Sequence, residues 1–248
     1  MNKKALVTGA SEGIGYVLAK RLANDGYAIT AVARNESHLQ RLVSEIGPEH
    51  SYLVADLLTE AGQNVVIKAV ADKHFDLFVN NAGIAALGKF TEISVERHVN
   101  VLRLNCEAVV RLAHAYLKSA KDGDALINVS SALAFMPMPA LGVYSATKAF
   151  VTSFSESLWY EQRQRGVYVM GLCPGMTSTN FGKNNGANDL AAPSFMTQTP
   201  EELVENALCA LKARKKPTVI SGLVNKIFTF VARLRTRKGV VATMGGRG

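Results

Sequence analysis

The chain has 248 residues, of which 48% are hydrophobic, and this length fits one globular domain with a large core. Its cysteines, Cys106, Cys173 and Cys209, are widely spaced, so neither a disulfide framework nor a metal site such as zinc is expected. The net charge of +8 comes from the end of the chain, because residues 212–248 carry ten basic and no acidic side chains. Residues 1–211 have a net charge of −2, so binding to nucleic acid is not expected.

Short apolar runs alternate with helical patterns along most of the chain. The predicted strands lie at 5–10, 27–34, 51–57, 76–83, 125–131, 167–175 and 218–222. Apolar strands separated by helices of about 10–20 residues indicate a parallel sheet covered on both faces. The sequence therefore predicts an α/β fold with a doubly wound parallel sheet, the Rossmann fold, over residues 1–222. A basic amphipathic extension follows at 223–248.

The turn after the first predicted strand is rich in glycine. It reads TGASEGIG (8–15), with glycines at positions 9, 13 and 15. Glycines at such a turn let the backbone approach a pyrophosphate, and the N-terminus of the next helix offers free N–H groups and a favourable dipole. The spacing G-x-x-x-G-x-G differs from the commoner G-x-G-x-x-G. We therefore predict a nucleotide-binding turn.

Tyr144 and Lys148 lie four residues apart in VYSATK (143–148), so on a helix they share one face. A tyrosine has an ordinary pKa of about 10 and exchanges protons near neutral pH only when its phenolate is stabilised. A neighbouring ammonium supplies that stabilisation, and we expect Lys148 to lower the pKa of Tyr144. The spacing is common, so the pair alone does not establish a catalytic site.

Together, these motifs resemble the short-chain dehydrogenase/reductase (SDR) family over most of residues 4–205. NNAG (80–83) and Pro174-Gly175 match the family as well. The resemblance implies an NAD(P)-dependent oxidoreductase of the EC 1.1.1 type, which transfers a hydride between a nicotinamide and a carbonyl or secondary alcohol. The catalytic residues of the family match Asn105, Ser131, Tyr144 and Lys148 in this sequence. Ser131 stands thirteen residues before Tyr144, the usual family spacing, and is therefore preferred to Ser130.

The resemblance also assigns a role to each catalytic residue. Tyr144 protonates the alkoxide that hydride transfer produces, while Ser131 polarises the substrate carbonyl. Lys148 holds the nicotinamide ribose hydroxyls in addition to acting on Tyr144. Asn105 supports a water chain that leads from Lys148 to solvent.

The cofactor-binding positions follow from the same resemblance. They are Gly9, Ser11, Gly13, Ile14, Gly15, Arg34, Asp56, Leu57, Asn81, Gly83, Tyr144, Lys148, Pro174, Gly175, Thr177 and Thr179. NAD selection generally needs an acidic residue at the end of the second strand, where this chain has Arg34. A guanidinium there favours NADP(H) over NAD(H). Glu12 counts against this preference, because many NADP-dependent relatives have a basic residue at that position.

Two segments are predicted to shape the substrate site. Phe135, Met136 and Met138 follow Ser131 and offer an apolar wall, although core packing explains them equally well. Residues 177–198 form a long loop rich in Gly and Asn, and such a loop in an ordered domain is typical of a lid. Apolar walls under a lid suggest a hydrophobic ketone or a 3-oxoacyl-type substrate.

The extension at 223–248 has an apolar stripe at helical spacing, with basic residues on other faces. The stripe consists of Leu223, Ile227, Phe230, Val231 and Leu234. Three roles stay open: packing against the domain or lid, contact with a partner subunit, and binding to a membrane surface. Docking onto an acidic carrier protein is a further alternative. We expect a homodimer, with a homotetramer as the alternative.

No apolar run approaches the roughly 18–20 residues that a membrane span needs, and the first residues do not resemble a secretory signal. We expect a cytoplasmic protein, with surface association to a membrane as the alternative. Two other activities compete with the oxidoreductase. An NADP(H)-binding regulatory protein with little turnover is disfavoured because the catalytic residues are all present. A sugar-nucleotide epimerase or dehydratase is disfavoured because too few residues follow position 205 for its substrate domain.

Overall fold

A computed structural model describes residues 3–186 and 197–246 of the chain. Its strands are β1 (Lys4–Thr8), β2 (Ala28–Ala33), β3 (Ser51–Val54), β4 (Leu77–Asn80), β5 (Ala125–Val129), β6 (Tyr168–Cys173) and β7 (Thr218–Ile220). They form one parallel sheet in the order β3-β2-β1-β4-β5-β6-β7. The chain winds outward first on one side of β1 and then on the other, which confirms the predicted doubly wound α/β fold.

Ten helices connect or follow these strands in the described part of the chain. They are α1 (Gly13–Asn24), α2 (Glu36–Ile46), α3 (Glu60–Asp72), α4 (Val95–Leu102), α5 (Val109–Ser119), α6 (Gly142–Gln162), α7 (Phe181–Asn184), α8 (Pro200–Ala213), α9 (Leu223–Leu234) and α10 (Arg237–Gly245). A π-helical turn over Arg103–Ala108 joins α4 to α5, and a 3₁₀ turn over Ala132–Phe135 follows β5.

Helices cover the sheet on both faces and create two apolar cores. One core packs α1 and α8 against the sheet, with Leu18 and Leu203 fully buried. The other packs α3 and α5 against the opposite face, with Val66 and Leu112 fully buried. Every residue of β4 and β5 is buried, which explains why these strands read as continuous apolar runs rather than alternating ones.

The sequence TPEE at 199–202 predicts the start of a helix, and α8 begins there. The Thr199 hydroxyl accepts a hydrogen bond from the backbone N–H of Glu202, and the Glu202 carboxylate accepts one from the N–H of Thr199. Pro200 occupies the first helical position, where its missing N–H costs nothing. This start fixes the far end of the segment predicted to be a lid.

The predicted lid at 177–198 is described only at its two ends, because residues 187–196 lie outside the described residues. Thr177 and Gln198 pair as an isolated parallel bridge, so the ends of the loop meet beside the sheet. The near end continues into α7. The role of the whole segment as a lid stays a prediction.

The extension contains two helices, and the predicted apolar stripe lies on the first of them, α9. α9 ends at Leu234, and Thr236 then caps α10 by accepting a hydrogen bond from the N–H of Gly239 at 3.2 Å. The apolar stripe on α9 does not pack on the domain, because its five side chains are 44–74% exposed. Among the described helices, none is both long and apolar enough for a bilayer crossing.

Candidate active site

The notable side chains gather at the carboxyl ends of β1, β4, β5 and β6. In a parallel sheet these ends share one edge, and ligands bind beyond it near the switch in strand order. The glycine turn follows β1, NNAG follows β4, Ser131 follows β5 and Pro174 follows β6. Residues that are up to about 165 positions apart in the sequence are thereby brought to one edge of the sheet.

The glycine turn is held against the loop after β4 by Asn81. The Asn81 amide donates hydrogen bonds to the carbonyl oxygens of Thr8 at 2.9 Å and Gly9 at 3.2 Å. Gly9 has a φ of +66°, and a Cβ added to it would lie only 2.8 Å from the Asn81 amide nitrogen. A Cβ on Gly15 would collide with the Gly9 carbonyl. The bare backbone and the N-terminus of α1 thus form a cradle that fits a pyrophosphate.

The predicted adenosine end of the cofactor site lies at the ends of β2 and β3. Arg34 directly follows β2 and is exposed, and in the described part of the chain it takes part in no ion pair. Asp56 is half-buried and accepts a hydrogen bond from the N–H of Leu58 at 3.1 Å, while Leu57 is buried. Ser11 and Ile14 are partly buried around the glycine turn. The end of β2 therefore offers the guanidinium of Arg34, where NAD-binding proteins of this fold have a carboxylate.

Tyr144 and Lys148 lie on one face of α6, as predicted, and both are buried. Their exposed fractions are 9% and 4%. The Lys148 ammonium lies 5.6 Å from the centre of the Tyr144 ring and donates a hydrogen bond to the carbonyl oxygen of Val129 at 2.8 Å. This bond ties the lysine to the last residue of β5, directly beside the serines that follow it.

The sequence predicts that Lys148 lowers the pKa of Tyr144. For the protein without a cofactor this prediction is wrong. Burial raises the pKa of Tyr144 to about 12, and interaction with the Ser131 hydroxyl lowers it only in part. Burial also lowers the pKa of Lys148 to about 8. Removal from water dominates for both groups, because it disfavours the charged form of each. The phenol therefore stays protonated at neutral pH and is suited to donate a proton.

The two serines after β5 have different environments. The Ser130 hydroxyl donates to the carbonyl oxygen of Lys148 and pairs with the Thr152 hydroxyl, each at 2.7 Å, so its bonds serve the packing of α6. The Ser131 hydroxyl accepts from the N–H of Leu133 at 3.1 Å and retains its proton for another acceptor. The Ser131 hydroxyl also interacts with the Tyr144 phenol, so Ser131 is the serine that faces this tyrosine, and its catalytic role stays a prediction.

Asn105 is fully buried in the π-helical turn between α4 and α5. Its amide nitrogen donates to the Ile84 carbonyl at 2.9 Å and to the Thr147 hydroxyl at 3.1 Å, while its oxygen accepts from the Ile84 N–H at 3.0 Å. A Cβ on Gly83 would lie 3.3 Å from the Asn105 amide oxygen and 3.5 Å from the Lys148 ammonium. Asn105 therefore joins the loop after β4 to α6; its predicted role in a water chain stays a prediction.

The turn after β6 lies against the C-terminal extension. Pro174 is buried, and the Thr177 hydroxyl donates to the carbonyl oxygen of Gly175 at 3.1 Å. A Cβ on Gly175 would collide with the Asn225 amide of α9, so a larger residue there would require that side chain to move. Thr179 lies beside the glycine turn, 3.5 Å from where a Cβ of Gly13 would stand.

The short helix α7 contacts both halves of the site through residues that sequence reasoning missed. The Phe181 ring lies 5.9 Å from the Tyr144 ring, and the Asn184 amide donates to the Glu12 carboxylate at 2.7 Å. The Asn185 oxygen accepts from the N–H of Ala85 at 2.8 Å. Glu12, which departs from the basic residue of many NADP-dependent relatives, thus holds the near end of the predicted lid. Only the Asn-rich composition of this loop hinted at such contacts.

The three predicted substrate residues have different surroundings. Met136 is buried, Met138 is partly buried, and Phe135 lies under the Arg233 guanidinium of α9, 4.9 Å from the ring centre. Phe135 therefore faces the C-terminal extension. The contacts of Met136 and Met138 with substrate stay predictions.

Known proteins resemble this chain over most of its length. A family model described as short chain dehydrogenase matches residues 3–190. The 3-oxoacyl-(acyl-carrier-protein) reductase of Vibrio cholerae serotype O1 is 31% identical over 202 residues, which cover 80% of this chain and 82% of that protein.

Two solved structures share the fold almost completely. A short-chain dehydrogenase from Sphingobium yanoikuyae in complex with NADPH has a TM-score of 0.84 and 30% identity, and the match covers 96% of this chain and 94% of that one. A 7β-hydroxysteroid dehydrogenase has a TM-score of 0.88 and 27% identity, with 98% and 99% covered.

Proposed function

This chain belongs to the short-chain dehydrogenase family and is an oxidoreductase, and we propose that it uses NADPH to reduce the carbonyl group of a hydrophobic ketone or 3-oxoacyl substrate. The observation that carries this proposal is the buried group of Ser131, Tyr144 and Lys148 at the same sheet edge as the glycine cradle. A proton donor, a carbonyl-polarising hydroxyl and a dinucleotide site at one edge are what carbonyl reduction requires. The reverse reaction is oxidation of a secondary alcohol.

The residues divide the reaction between them. When bound, NADPH supplies the hydride that is added to the carbonyl carbon. The Ser131 hydroxyl donates a hydrogen bond to the carbonyl oxygen, and the Tyr144 phenol transfers its proton to that oxygen as negative charge develops. The Lys148 ammonium, close to the Tyr144 ring, stabilises the phenolate that remains. Each turnover thus consumes one hydride and one proton and leaves an alcohol.

Hydrophobic carbonyl substrates fit the apolar surroundings of the proposed site. Phe181 lies against Tyr144, and the buried Met136 follows Ser131 by five residues. The relative from Vibrio cholerae is named for action on a 3-oxoacyl group, which is of this chemical class. The cytoplasmic location expected from the sequence stays a prediction.

The preference for NADPH is proposed from Arg34. Its guanidinium has no carboxylate partner among the described residues, and Arg34 directly follows β2, where the residue that selects between NAD and NADP is expected in this fold. Arg34→Gln should lower kcat/KM for NADPH about 10- to 100-fold and leave that for NADH unchanged, since hydrogen bonds to a charged group contribute roughly 1.5–3 kcal/mol. The measurement is oxidation of NADPH and NADH by the purified enzyme with ketones, 3-oxoacyl thioesters and steroids.

Arg41→Gln is the matched control, because Arg41 lies on the exposed face of α2 and pairs with Glu45 at 3.8 Å. It should keep the cofactor preference of the wild type. Equal use of NADH by the wild type would refute the role of Arg34, and an enzyme that reduces none of these carbonyl compounds would refute the proposed activity.

The apolar stripe of α9 is proposed to form a homodimer contact. Five large apolar side chains on a 12-residue helix are exposed, and a contiguous apolar patch of this kind marks an interaction site. Ile227→Glu with Phe230→Glu should convert the dimer to a monomer in light-scattering mass measurements, while Val65→Glu, at an exposed position on α3, should not. A wild type that is monomeric and binds vesicles through the stripe would favour the membrane alternative instead.

A further inference from the structure

A cleft beside the candidate active site is lined by three arginines. It has a volume of about 310 Å³ and lies between the 3₁₀ turn after Ser131 and the C-terminal helices. Its apolar lining includes Phe135, Pro137 and Val240, and its basic lining consists of Arg233, Arg235 and Arg237. The cofactor and substrate residues described above, apart from Phe135, do not line it.

The three guanidinium groups have no acidic partner among the residues that the structure describes. No Asp or Glu occurs after Glu205 in the chain, and no described ion pair includes any of the three arginines. Arg233 lies over the Phe135 ring, and Arg235 donates to the Thr243 hydroxyl at 3.1 Å, so both are held in place by uncharged groups. The three arginines are exposed, and together they give the cleft a positive potential that attracts an anion.

The chemistry of the cleft favours a phosphate group. Guanidinium forks match phosphate oxygens in pairs, and they are less strongly hydrated than ammonium groups. The N-terminus of α10 begins at Arg237 and adds a favourable dipole for an anion. The apolar wall of Phe135, Pro137 and Val240 suits an organic phosphate better than a fully hydrated ion.

The position of the cleft connects it to the reaction. Phe135 follows Ser131 by four residues, and most of this segment is a 3₁₀ turn with a rise of about 2 Å per residue. Phe135, at the edge of the cleft, therefore lies roughly 8 Å from the serine along the backbone. A substrate with its carbonyl at Ser131 and Tyr144 reaches the arginines only if it is long.

We propose that this cleft binds the phosphate or pyrophosphate end of an extended substrate whose carbonyl is reduced at Ser131 and Tyr144. The assignment rests on the proposed function for the position of the carbonyl, but the anion site itself does not depend on it. A phospholipid headgroup offers the same phosphate chemistry, and the experiment distinguishes these two sources.

The first test measures binding of inorganic pyrophosphate by calorimetry to the full chain saturated with NADP⁺, so that the probe does not occupy the dinucleotide site. Arg233→Gln with Arg237→Gln should raise the Kd for pyrophosphate at least 10-fold. Lys215→Gln with Lys226→Gln removes the same charge outside the cleft and should change the Kd less than twofold. The proposal is overturned if the arginine and lysine double variants lose the same affinity for pyrophosphate, or if the wild type does not bind pyrophosphate.

The second test compares two substrates with the same reacting group. Acetoacetyl-coenzyme A carries phosphates, whereas the acetoacetyl thioester of N-acetylcysteamine carries none. The arginine pair of substitutions should raise KM about 10-fold for the first without changing kcat, and leave both constants unchanged for the second. Unchanged KM together with arginine-dependent sedimentation on phosphatidylglycerol vesicles would assign the cleft to a lipid headgroup and overturn the substrate role.

The two tests separate failure of the cleft from failure of the activity. An enzyme that reduces neither thioester contradicts the proposed substrate class, while calorimetry still decides whether the cleft binds phosphate. Normal reduction of both thioesters by the arginine variant, without pyrophosphate binding by the wild type, contradicts the cleft alone.

Discussion

Replacing Tyr144 with Phe should lower kcat for carbonyl reduction about 10³-fold, within the range that a positioned general acid contributes. The substitution removes only the hydroxyl, and the ring keeps its contact with Phe181. Because burial raises the pKa of Tyr144 to about 12, the wild-type phenol carries its proton throughout the neutral range and can donate it to the developing alkoxide. KM for the carbonyl substrate should change less than fivefold.

Tyr160→Phe is the matched control on the same helix. Tyr160 is 65% exposed and stacks with Arg163, so loss of its hydroxyl should leave kcat within about twofold of the wild type. The thermal unfolding midpoint of both variants would show that neither has lost its fold. Retention of more than a tenth of kcat by Tyr144→Phe would mean that another group or water donates the proton.

The sheet and its ligand-binding edge were predictable because their signals are local. Each strand is a short apolar run, and the glycines of the first turn are required by contacts that only a bare backbone allows, as at Gly9 against Asn81. The capping pair of Thr199 and Glu202 predicted the start of α8 for the same reason. Such features depend on residues close in the sequence or on backbone conformation.

The parts that were not predictable depend on contacts between distant residues. Asn184 meets Glu12 across 172 positions, and no local pattern pairs an amide in a loop with a carboxylate in a glycine turn. The apolar stripe of α9 left three roles open in the sequence; only the structure shows that the helix buries Thr229 and leaves the stripe exposed. The electrostatics of Tyr144 and Lys148 likewise follow from burial, which spacing along a helix does not report.

Lys148→Met should abolish most activity and yet stabilise the protein. Lys148 is 4% exposed, and burial lowers the pKa of its ammonium from 10.5 to about 8. This shift corresponds to a cost of about 3 kcal/mol at neutral pH. Methionine removes this cost but also the hydrogen bond to the Val129 carbonyl, worth about 1 kcal/mol. We expect the cofactor-free variant to be about 2 kcal/mol more stable at pH 7, with a melting temperature raised by roughly 4–8 °C. Its kcat/KM should fall at least about 100-fold.

The pH dependence of that stability difference identifies its cause. Between pH 8 and 10.5 the unfolded chain keeps a proton on Lys148 that the folded chain has released, so the stability of the wild type rises with pH across this window. The methionine variant lacks this rise, and its advantage should shrink from pH 7 to pH 10.5. The raised pKa of Tyr144 acts in the opposite direction above pH 10 but is common to both proteins. Denaturant unfolding at pH 7, 8.5 and 10 measures the difference, and an advantage that is constant with pH, or a variant less stable at pH 7, would show that Lys148 is not held against a desolvation cost.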